Sequence, residues 1–112
     1  MKLHVFSLFS LILLAACSTS ADSFLQKGRE LLRQGQPGQA LEFLNKAVEK
    51  DPANADVFNA RGSAYFDLKR YPEAQLDFTR AIELDPLVYK PYYNRGRTYL
   101  AQEDFPKALE DL

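Results

Sequence analysis

Residue types that carry catalytic chemistry are scarce in this chain of 112 residues. It contains one histidine, His4, and one cysteine, Cys17, and both lie close to the N-terminus. A single cysteine excludes an intramolecular disulfide. The chain has neither the His and Cys spacing of a metal site nor a glycine-rich phosphate-binding loop. We therefore expect a protein that is not an enzyme and that uses no metal and no cofactor.

Carboxylates are more numerous, but their pattern is typical of a solvated surface. Glu73, Asp77 and Glu83 are predicted to share an exposed helix face with Arg80. The whole chain has 14 basic and 15 acidic residues, and this balance argues against electrostatic binding of nucleic acid. The expected partner is therefore another protein rather than a nucleic acid or a small-molecule substrate.

The elements that would position any binding residues follow a repeat of 34 residues. Gly28, Gly62 and Gly96 are each 34 residues apart. The neighbouring positions keep the same register: an aromatic four residues before each glycine (Phe24, Phe58, Tyr92), an alanine twelve after it (Ala40, Ala74, Ala108) and a large apolar residue sixteen after it (Leu44, Phe78, Leu112). Self-similarity at this period is the signature of a repeat architecture.

Each copy contains two amphipathic stretches joined by a short turn. In the middle copy, Phe58, Gly62 and Phe66 lie at i, i+4 and i+8, on one helical face. Ala74 and Phe78 begin the same pattern in the second stretch. Glycine inside a helix is unfavourable by about 1 kcal/mol relative to alanine. The repeated glycine therefore predicts a close approach between the two helices of a pair.

The pattern strongly resembles the tetratricopeptide repeat family over residues 21–112. That family places an aromatic residue, Leu-Gly, Tyr, Ala, Phe and Pro along 34 residues, and the middle copy matches nearly all of them. One departure is consistent: Lys27, Arg61 and Arg95 stand before the glycines in place of leucine. The resemblance implies an all-α fold, an α-solenoid of stacked helix–turn–helix pairs with about two and a half repeats.

The predicted repeats cover residues 22–54, 55–88 and 89–112, and the third breaks off inside its second helix. Repeat arrays usually need a polar cap over their last apolar face. Because Leu109 and Leu112 would be exposed, we expect a truncated third repeat and a chain that is a piece of a longer protein. The alternative is a complete chain whose exposed face is covered by another subunit.

Residues 1–16 are predicted to be a cleaved signal peptide. The apolar run from Leu3 to Ala16 is short for a membrane span but has the length of a secretory signal core. The segment Leu14-Ala15-Ala16-Cys17 resembles the lipobox of bacterial lipoproteins. This resemblance implies cleavage before Cys17, a thioether-linked diacylglycerol on its sulfur and an acyl chain such as palmitate on its amine, followed by a short tether (residues 17–21).

Two other interpretations of Cys17 remain open. It could be a buried thiol at the end of an ordinary signal peptide, or part of an uncleaved anchor. If it is lipidated, two or three acyl chains anchor a protein stably, since each buried methylene contributes about 0.8 kcal/mol. In lipoproteins like those of enterobacteria, an aspartate after the cysteine tends to retain the protein in the inner membrane. Ser18 stands there in this chain, so the resemblance implies the outer membrane, with the repeats facing the periplasm.

A concave surface lined by the first helix of each pair is where partners of such arrays lie. The large aromatic residues and arginines of this surface are candidate anchors. The predicted binding face consists of Leu25, Arg29 and Leu32 from the first copy, Asp56, Asn59, Ser63 and Phe66 from the second, and Lys90, Tyr93, Arg97 and Leu100 from the third.

One subtype of the family holds the C-terminal carboxylate of chaperones with lysine, asparagine and arginine side chains. Lys90 fits that pattern. However, Leu25 stands where a lysine is expected, Ala60 where an asparagine is expected and Asn94 where a basic residue is expected. A cochaperone role is therefore disfavoured.

The lipobox and the repeats together predict a membrane-anchored scaffold that helps to assemble a cell-envelope complex. Lipoproteins of this build resemble pilotins for the secretins of type IV pili. Others resemble adaptors that recruit peptidoglycan hydrolases, and a general secretion or assembly scaffold is a third possibility. The repeat pattern reports the fold and not the partner.

Overall fold

The computed structural model describes residues 20–112, and over that range the chain forms six α-helices and no strand. The helices are α1 (Ala21–Arg33), α2 (Pro37–Lys50), α3 (Ala55–Asp67), α4 (Tyr71–Leu84), α5 (Tyr89–Ala101) and α6 (Phe105–Asp111). The predicted signal peptide (residues 1–16) and Cys17 lie outside the described residues. None of the six helices combines the length and the apolar character needed to cross a bilayer.

Five of the six described helices start at residues that suit a helix N-terminus, and α5, which follows Val88 without a side-chain cap, is the exception. Ser20 caps α1 by accepting a hydrogen bond from the N–H of Ser23 (3.3 Å). Asn54 caps α3 in the same way, through the N–H of Asp56 (3.0 Å). The second helix of each pair instead has a proline in its first turn, where the missing N–H needs no partner. These prolines are Pro37, Pro72 and Pro106.

The turn inside each pair has the same left-handed geometry. The residue seven positions after the repeat glycine has a positive φ, which is 71° at Gly35, 60° at Lys69 and 62° at Glu103. The next residue donates its N–H to a carbonyl one turn back in the first helix, which closes a Schellman motif. These bonds are Gln36 to Leu31, Arg70 to Tyr65 and Asp104 to Tyr99, each 2.8 Å.

The repeat glycines lie where the two helices of a pair approach most closely. A Cβ atom at Gly62 would be 2.6 Å from the buried ring of Phe78, and one at Gly28 would be 2.6 Å from Leu44. Gly96 meets Leu112 in the same way. The predicted close approach is confirmed, and its cause is the large side chain sixteen residues after each glycine.

Successive pairs stack so that the first helix of one repeat covers the preceding pair. Helix α3 packs against α1 and α2, and α5 packs against α3 and α4. The residues of α3 that face the preceding pair, α1 and α2, are small or short, which lets the helices approach closely. They join a continuous core made of Leu25, Leu31, Ala40, Leu44, Ala47, Val57, Ala60 and Ala64.

One sequence prediction is wrong: Asp77 is buried rather than solvated, with 4% of its surface exposed. Its carboxylate accepts two hydrogen bonds from Arg61, Nε to Oδ2 and Nη2 to Oδ1, both 2.8 Å. Burial raises the pKa of the Asp77 carboxyl, although the hydrogen bonds from Arg61 oppose this shift. The neighbouring Arg80 and Glu83 are exposed, as the charge pattern indicated.

The same arrangement recurs one repeat later, where Arg95 donates to Asp111 through Nε (2.6 Å) and Nη2 (2.8 Å). Each arginine also reaches the second helix of the preceding pair. Arg61 donates to Asn45 and Arg95 donates to Thr79, both at 3.2 Å. The basic residue that replaces the family's leucine therefore links two stacked repeats.

Candidate protein-binding groove

An open groove of about 760 Å³ runs across the first helices of the three repeats. The predicted residues that line it are Arg29, Leu32, Asp56, Asn59, Ser63 and Lys90. A smaller hollow continues from it and is bordered by Ser63, Phe66, Asp67, Phe78, Asn94 and Arg97. Because Ser63 borders both, the two hollows form one concave surface across α1, α3 and α5.

Three predicted residues line neither hollow: Leu25, Tyr93 and Leu100, the last of which is 43% exposed on α5. Leu25 is 3% exposed and packs in the core, so its side chain does not reach the surface of the groove. Tyr93 is 53% exposed on α5, next to Arg97. The same position of the repeat is thus covered in the first copy and open in the third, because within residues 20–112 the first helix of a further repeat does not pack on α5 as α3 packs on α1.

A small polar network fixes the floor of the groove. Asn94 donates from Nδ2 to Oδ1 of Asn59 (3.0 Å), which joins α5 to α3. The hydroxyl of Ser63 donates to the carbonyl of Asn59 (3.1 Å). Asn94 was not among the predicted binding residues, although its position two residues before the repeat glycine could have marked it as a neighbour of that face.

Aromatic rings hold the arginine at the far side of the groove. The guanidinium of Arg97 lies 4.7 Å from the ring centroid of Phe66 and 5.9 Å from that of Tyr93. Phe66 in turn makes an edge contact with Tyr71, with ring centroids 5.5 Å apart. Cation–π contacts of this kind orient a guanidinium while its N–H groups stay available to another partner.

Within residues 20–112, three groove cations have no carboxylate partner within 4.0 Å: Arg29, Lys90 and Arg97. The carboxyl group of Asp67 lies near Arg97 but forms no ion pair with it. Partial burial raises the pKa of Asp67, and the charge of Arg97 opposes that shift. The described residues contain no cluster of His, Cys, Asp or Glu that could hold a metal ion.

The turns between repeats also border the groove, and sequence reasoning had assigned them only a structural role. Asp51 and Asp85 line it, and each accepts a hydrogen bond from the N–H two residues on, at 3.3 Å. Asn54, the cap of α3, lines it as well. Because Asp51 and Asp85 are one repeat apart, the Asp-Pro pair that both turns share was the sequence signal that could have located this edge of the groove.

Family models agree with the architecture. A model described as tetratricopeptide repeat matches residues 25–87, and a second one of the same description matches residues 78–110. The chain belongs to the tetratricopeptide repeat family, whose fold is a protein-interaction module.

The curated relatives match most of this chain, but the match covers only a small part of their own length. The Hsp70-Hsp90 organizing protein of Triticum aestivum is 32% identical over 90 residues, which is 80% of this chain and 16% of that protein. Human serine/threonine-protein phosphatase 5 is 36% identical over 98 residues, which is 81% of this chain and 20% of the phosphatase. The chain therefore spans only a small part of the length of the relatives that it matches.

Solved structures show the same helix arrangement. The first repeat domain of Spaghetti (RPAP3), bound to an HSP90 peptide, is 31% identical with a TM-score of 0.80, covering 84% of this chain and 75% of that one. MamA is 29% identical with a TM-score of 0.80, covering 88% and 58%. The Hsp70-bound TPR2B domain of yeast Sti1 is 26% identical with a TM-score of 0.81, covering 84% and 75%.

Proposed function

We propose that this chain is an adaptor whose groove holds an extended segment of a protein partner. The observation that carries the proposal is the open concave surface on α1, α3 and α5, where cations without a carboxylate partner in residues 20–112 lie beside half-exposed apolar side chains. Aromatic residues and arginines are the side chains that most often dominate binding energy at such surfaces. Similar repeat domains in complex with chaperone peptides support this use of the fold.

In this proposal the partner is not the C-terminal segment of a chaperone, because the side chains that would hold its carboxylate are missing. Ala60 is 6% exposed and Leu25 is buried, so neither can supply the polar contacts expected at its position. The amide of Asn94 is engaged with Asn59 and carries no charge. Lys90 alone matches the chaperone-binding pattern. A buried apolar residue in place of a polar one leaves a ligand carboxylate without a donor.

The setting that we propose is the bacterial cell envelope, with the chain anchored through a lipid on Cys17 and facing the periplasm from the outer membrane. Its support is the lipobox-like segment Leu14–Cys17. In that setting the repeats would help to assemble an envelope complex, as a pilotin does for the secretin of a type IV pilus. The alternatives are an adaptor for peptidoglycan hydrolases and a general secretion or assembly scaffold.

Site-specific photo-cross-linking in cells tests the groove and the setting together. A photoreactive residue at Ser63, where the two hollows meet, is compared with one at Leu76, which is 71% exposed on α4 and lines neither hollow. We expect a partner that is captured from Ser63 and not from Leu76. A secretin would identify a pilotin and wall hydrolases would identify an adaptor, whereas equal capture from both positions would contradict the groove proposal.

A further inference from the structure

Two rows of side chains run in parallel across α1, α3 and α5, and five of their six members line the two hollows, Leu100 being the exception. They stand one and four residues after each repeat glycine, so on each helix they are one turn apart on the same face. The first row is Arg29, Ser63 and Arg97, and the second row is Leu32, Phe66 and Leu100. A basic row with a neutral centre therefore runs beside an apolar row.

The arginines of the basic row are available to a ligand. Arg29 lines the larger hollow and Arg97 the smaller one, and neither has a carboxylate partner within the part of the chain that the structure describes. Arg61 and Arg95, by contrast, are each bound in two places by a buried aspartate. Arg97 is held over Phe66, which reduces the freedom that it would lose on binding.

The spacing of the two arginines corresponds to a definite length of extended chain. Neighbouring helices pack with their axes about 8–10 Å apart, so two steps separate Arg29 from Arg97 by roughly 16–20 Å. An extended chain advances about 3.3 Å per residue, so five to six residues cover that distance. Side chains of an extended segment alternate, so residues i and i+6 point to one side and residue i+3 points to the other.

We propose that the groove binds an internal acidic segment whose carboxylates at positions i and i+6 pair with Arg29 and Arg97, while an apolar side chain at i+3 packs on Phe66. The inference rests on the proposed function and specifies the chemistry of its partner. Ser63, at the centre of the basic row, carries no charge, so the segment needs no carboxylate between the two that pair with the arginines.

The larger hollow also carries three carboxylates, Asp51, Asp56 and Asp85, which lie at or beside the turns between repeats and repel an acidic chain that strays toward that end. Asp67 borders the smaller hollow and sets the same limit beyond Arg97.

The probe for this proposal is a nine-residue peptide with glutamate at its second and eighth positions, leucine at its fifth, and serine or alanine elsewhere. Both ends are blocked, so that no terminal carboxylate can bind. Its binding to the full chain, purified in a mild detergent, is measured by fluorescence anisotropy at low salt. We expect the peptide with both glutamates replaced by glutamine to bind about tenfold more weakly, and replacement of the leucine by serine to weaken binding as well.

Variants of the chain assign the effect to the groove. Arg29→Gln and Arg97→Gln should each weaken binding of the glutamate peptide about three- to tenfold and leave the melting temperature unchanged. Arg80→Gln is the matched control, since Arg80 is an exposed arginine on α4 that lines neither hollow. Binding that is the same for the glutamate and glutamine peptides, or that is undetectable for the glutamate peptide at millimolar concentration, overturns the proposal.

A random peptide library separates this proposal from the function on which it rests. Peptides are selected on the full chain and counter-tested on Ser63→Trp, which fills the point where the two hollows meet. Groove-dependent peptides with acidic residues six apart support both proposals. Groove-dependent peptides without that pattern leave the groove function intact and overturn the acidic specificity, and no groove-dependent peptide at all overturns both.

Discussion

Arg61 ties three helices together, from its own α3 to α4 through Asp77 and back to α2 through Asn45. Its importance comes from the burial of Asp77, whose carboxylate would otherwise be left in the interior without a counter-charge. Removing one partner of such a pair costs far more than the pair itself contributes, because the remaining charge stays desolvated. A residue that departs from the family pattern is thus an essential part of the packing.

Arg61→Leu restores the leucine of the family pattern, yet we expect it to lower the free energy of unfolding by about 3 kcal/mol. Urea denaturation of the two proteins at neutral pH measures this difference. Arg80→Leu is the control, because Arg80 and Glu83 form an exposed pair at 3.3 Å that should be worth less than about 1 kcal/mol. Equal effects of the two changes would show that the Asp77 pair is not a stabilising link.

The same variant should show a characteristic pH dependence. Burial already raises the pKa of Asp77, and loss of Arg61 removes a contribution that lowers it. An acid whose folded pKa is raised contributes stability that is complete below its unfolded pKa and is lost as the pH rises through the folded value. The deficit of Arg61→Leu should therefore be smaller at acid pH than at neutral pH. A deficit that grows on acidification would contradict this account.

Gly62 is required by the ring of Phe78. Gly62→Ala should be destabilising by about 1–3 kcal/mol, because the new Cβ would lie 2.6 Å from a buried ring that cannot move aside. Gly38→Ala is the matched control in α2, where a Cβ has no neighbour within 4 Å and the change should stabilise by up to about 1 kcal/mol. Thermal melts of both variants test the pair, and a more stable Gly62→Ala protein would refute the packing argument.

Cys17, the proposed site of lipid attachment, lies outside the described residues. If it carries the lipid, Cys17→Ser should leave the chain unprocessed or release it from the membrane fraction. Metabolic labelling with a radioactive fatty acid, followed by membrane fractionation, measures both properties. Labelling and anchoring that match the unmodified protein would reject the lipobox interpretation.

Among the helix connections, the turns inside the pairs place two residues that carry side chains in a left-handed conformation. Of the three turn positions, only the first holds a glycine, Gly35, which suits a left-handed conformation. Lys69 and Glu103 hold the other two and carry side chains at φ values of 60° and 62°. A left-handed residue other than glycine costs roughly 1–2 kcal/mol. The helices must therefore supply the energy that holds these two turns.

Lys69→Gly should stabilise the protein by up to about 1 kcal/mol, since the strain removed exceeds the extra freedom that glycine gives the unfolded chain. A rise in the midpoint of thermal unfolding measures the gain. Gly35→Ala is the reciprocal control and should lower the midpoint, because alanine would have to adopt a φ near 71°. A lower midpoint for Lys69→Gly would indicate that its side chain makes a contact worth more than the strain.

Sequence periodicity predicted the helices, the turns and the contact of Gly62, because each depends on spacing along the chain. It did not predict that Leu25 is buried or that Asp77 has a buried partner. Both depend on how one pair lies against the next, which a helical period does not specify. Leu25 and Tyr93 occupy the same repeat position, and Leu25 is covered where the next repeat packs on its helix, whereas Tyr93 is open.

At the scale of the whole molecule, the groove exists only when three helices from three repeats lie side by side. No helix in residues 20–112 reaches beyond the pairs next to its own. Stability is therefore distributed along the stack, with α3 and α4 supported on both sides and α6 on one. The binding surface is a collective property of the stack.

This arrangement predicts a gradient of hydrogen exchange. Amides of α3 and α4 should be the best protected, and those of the seven-residue α6 should exchange fastest, since α6 packs on α5 alone among the described helices. Hydrogen exchange followed by mass spectrometry of the full chain measures the gradient. Uniform protection across all six helices would indicate a single cooperative unit in place of a stack.

Because each described helix pair contacts only the pairs next to it, the stack should respond to mechanical force in a particular way. If the proposed lipid holds the N-terminus while a bound partner pulls on the stack, the repeats between them bear the same tension and the least stable helix pair yields first. Each helix pair that yields would release about 34 residues, or roughly 110–120 Å of extended chain, while the other pairs stay folded. The stack would then lengthen in steps under tension and shorten again when the load is removed, as an extensible link between the two ends.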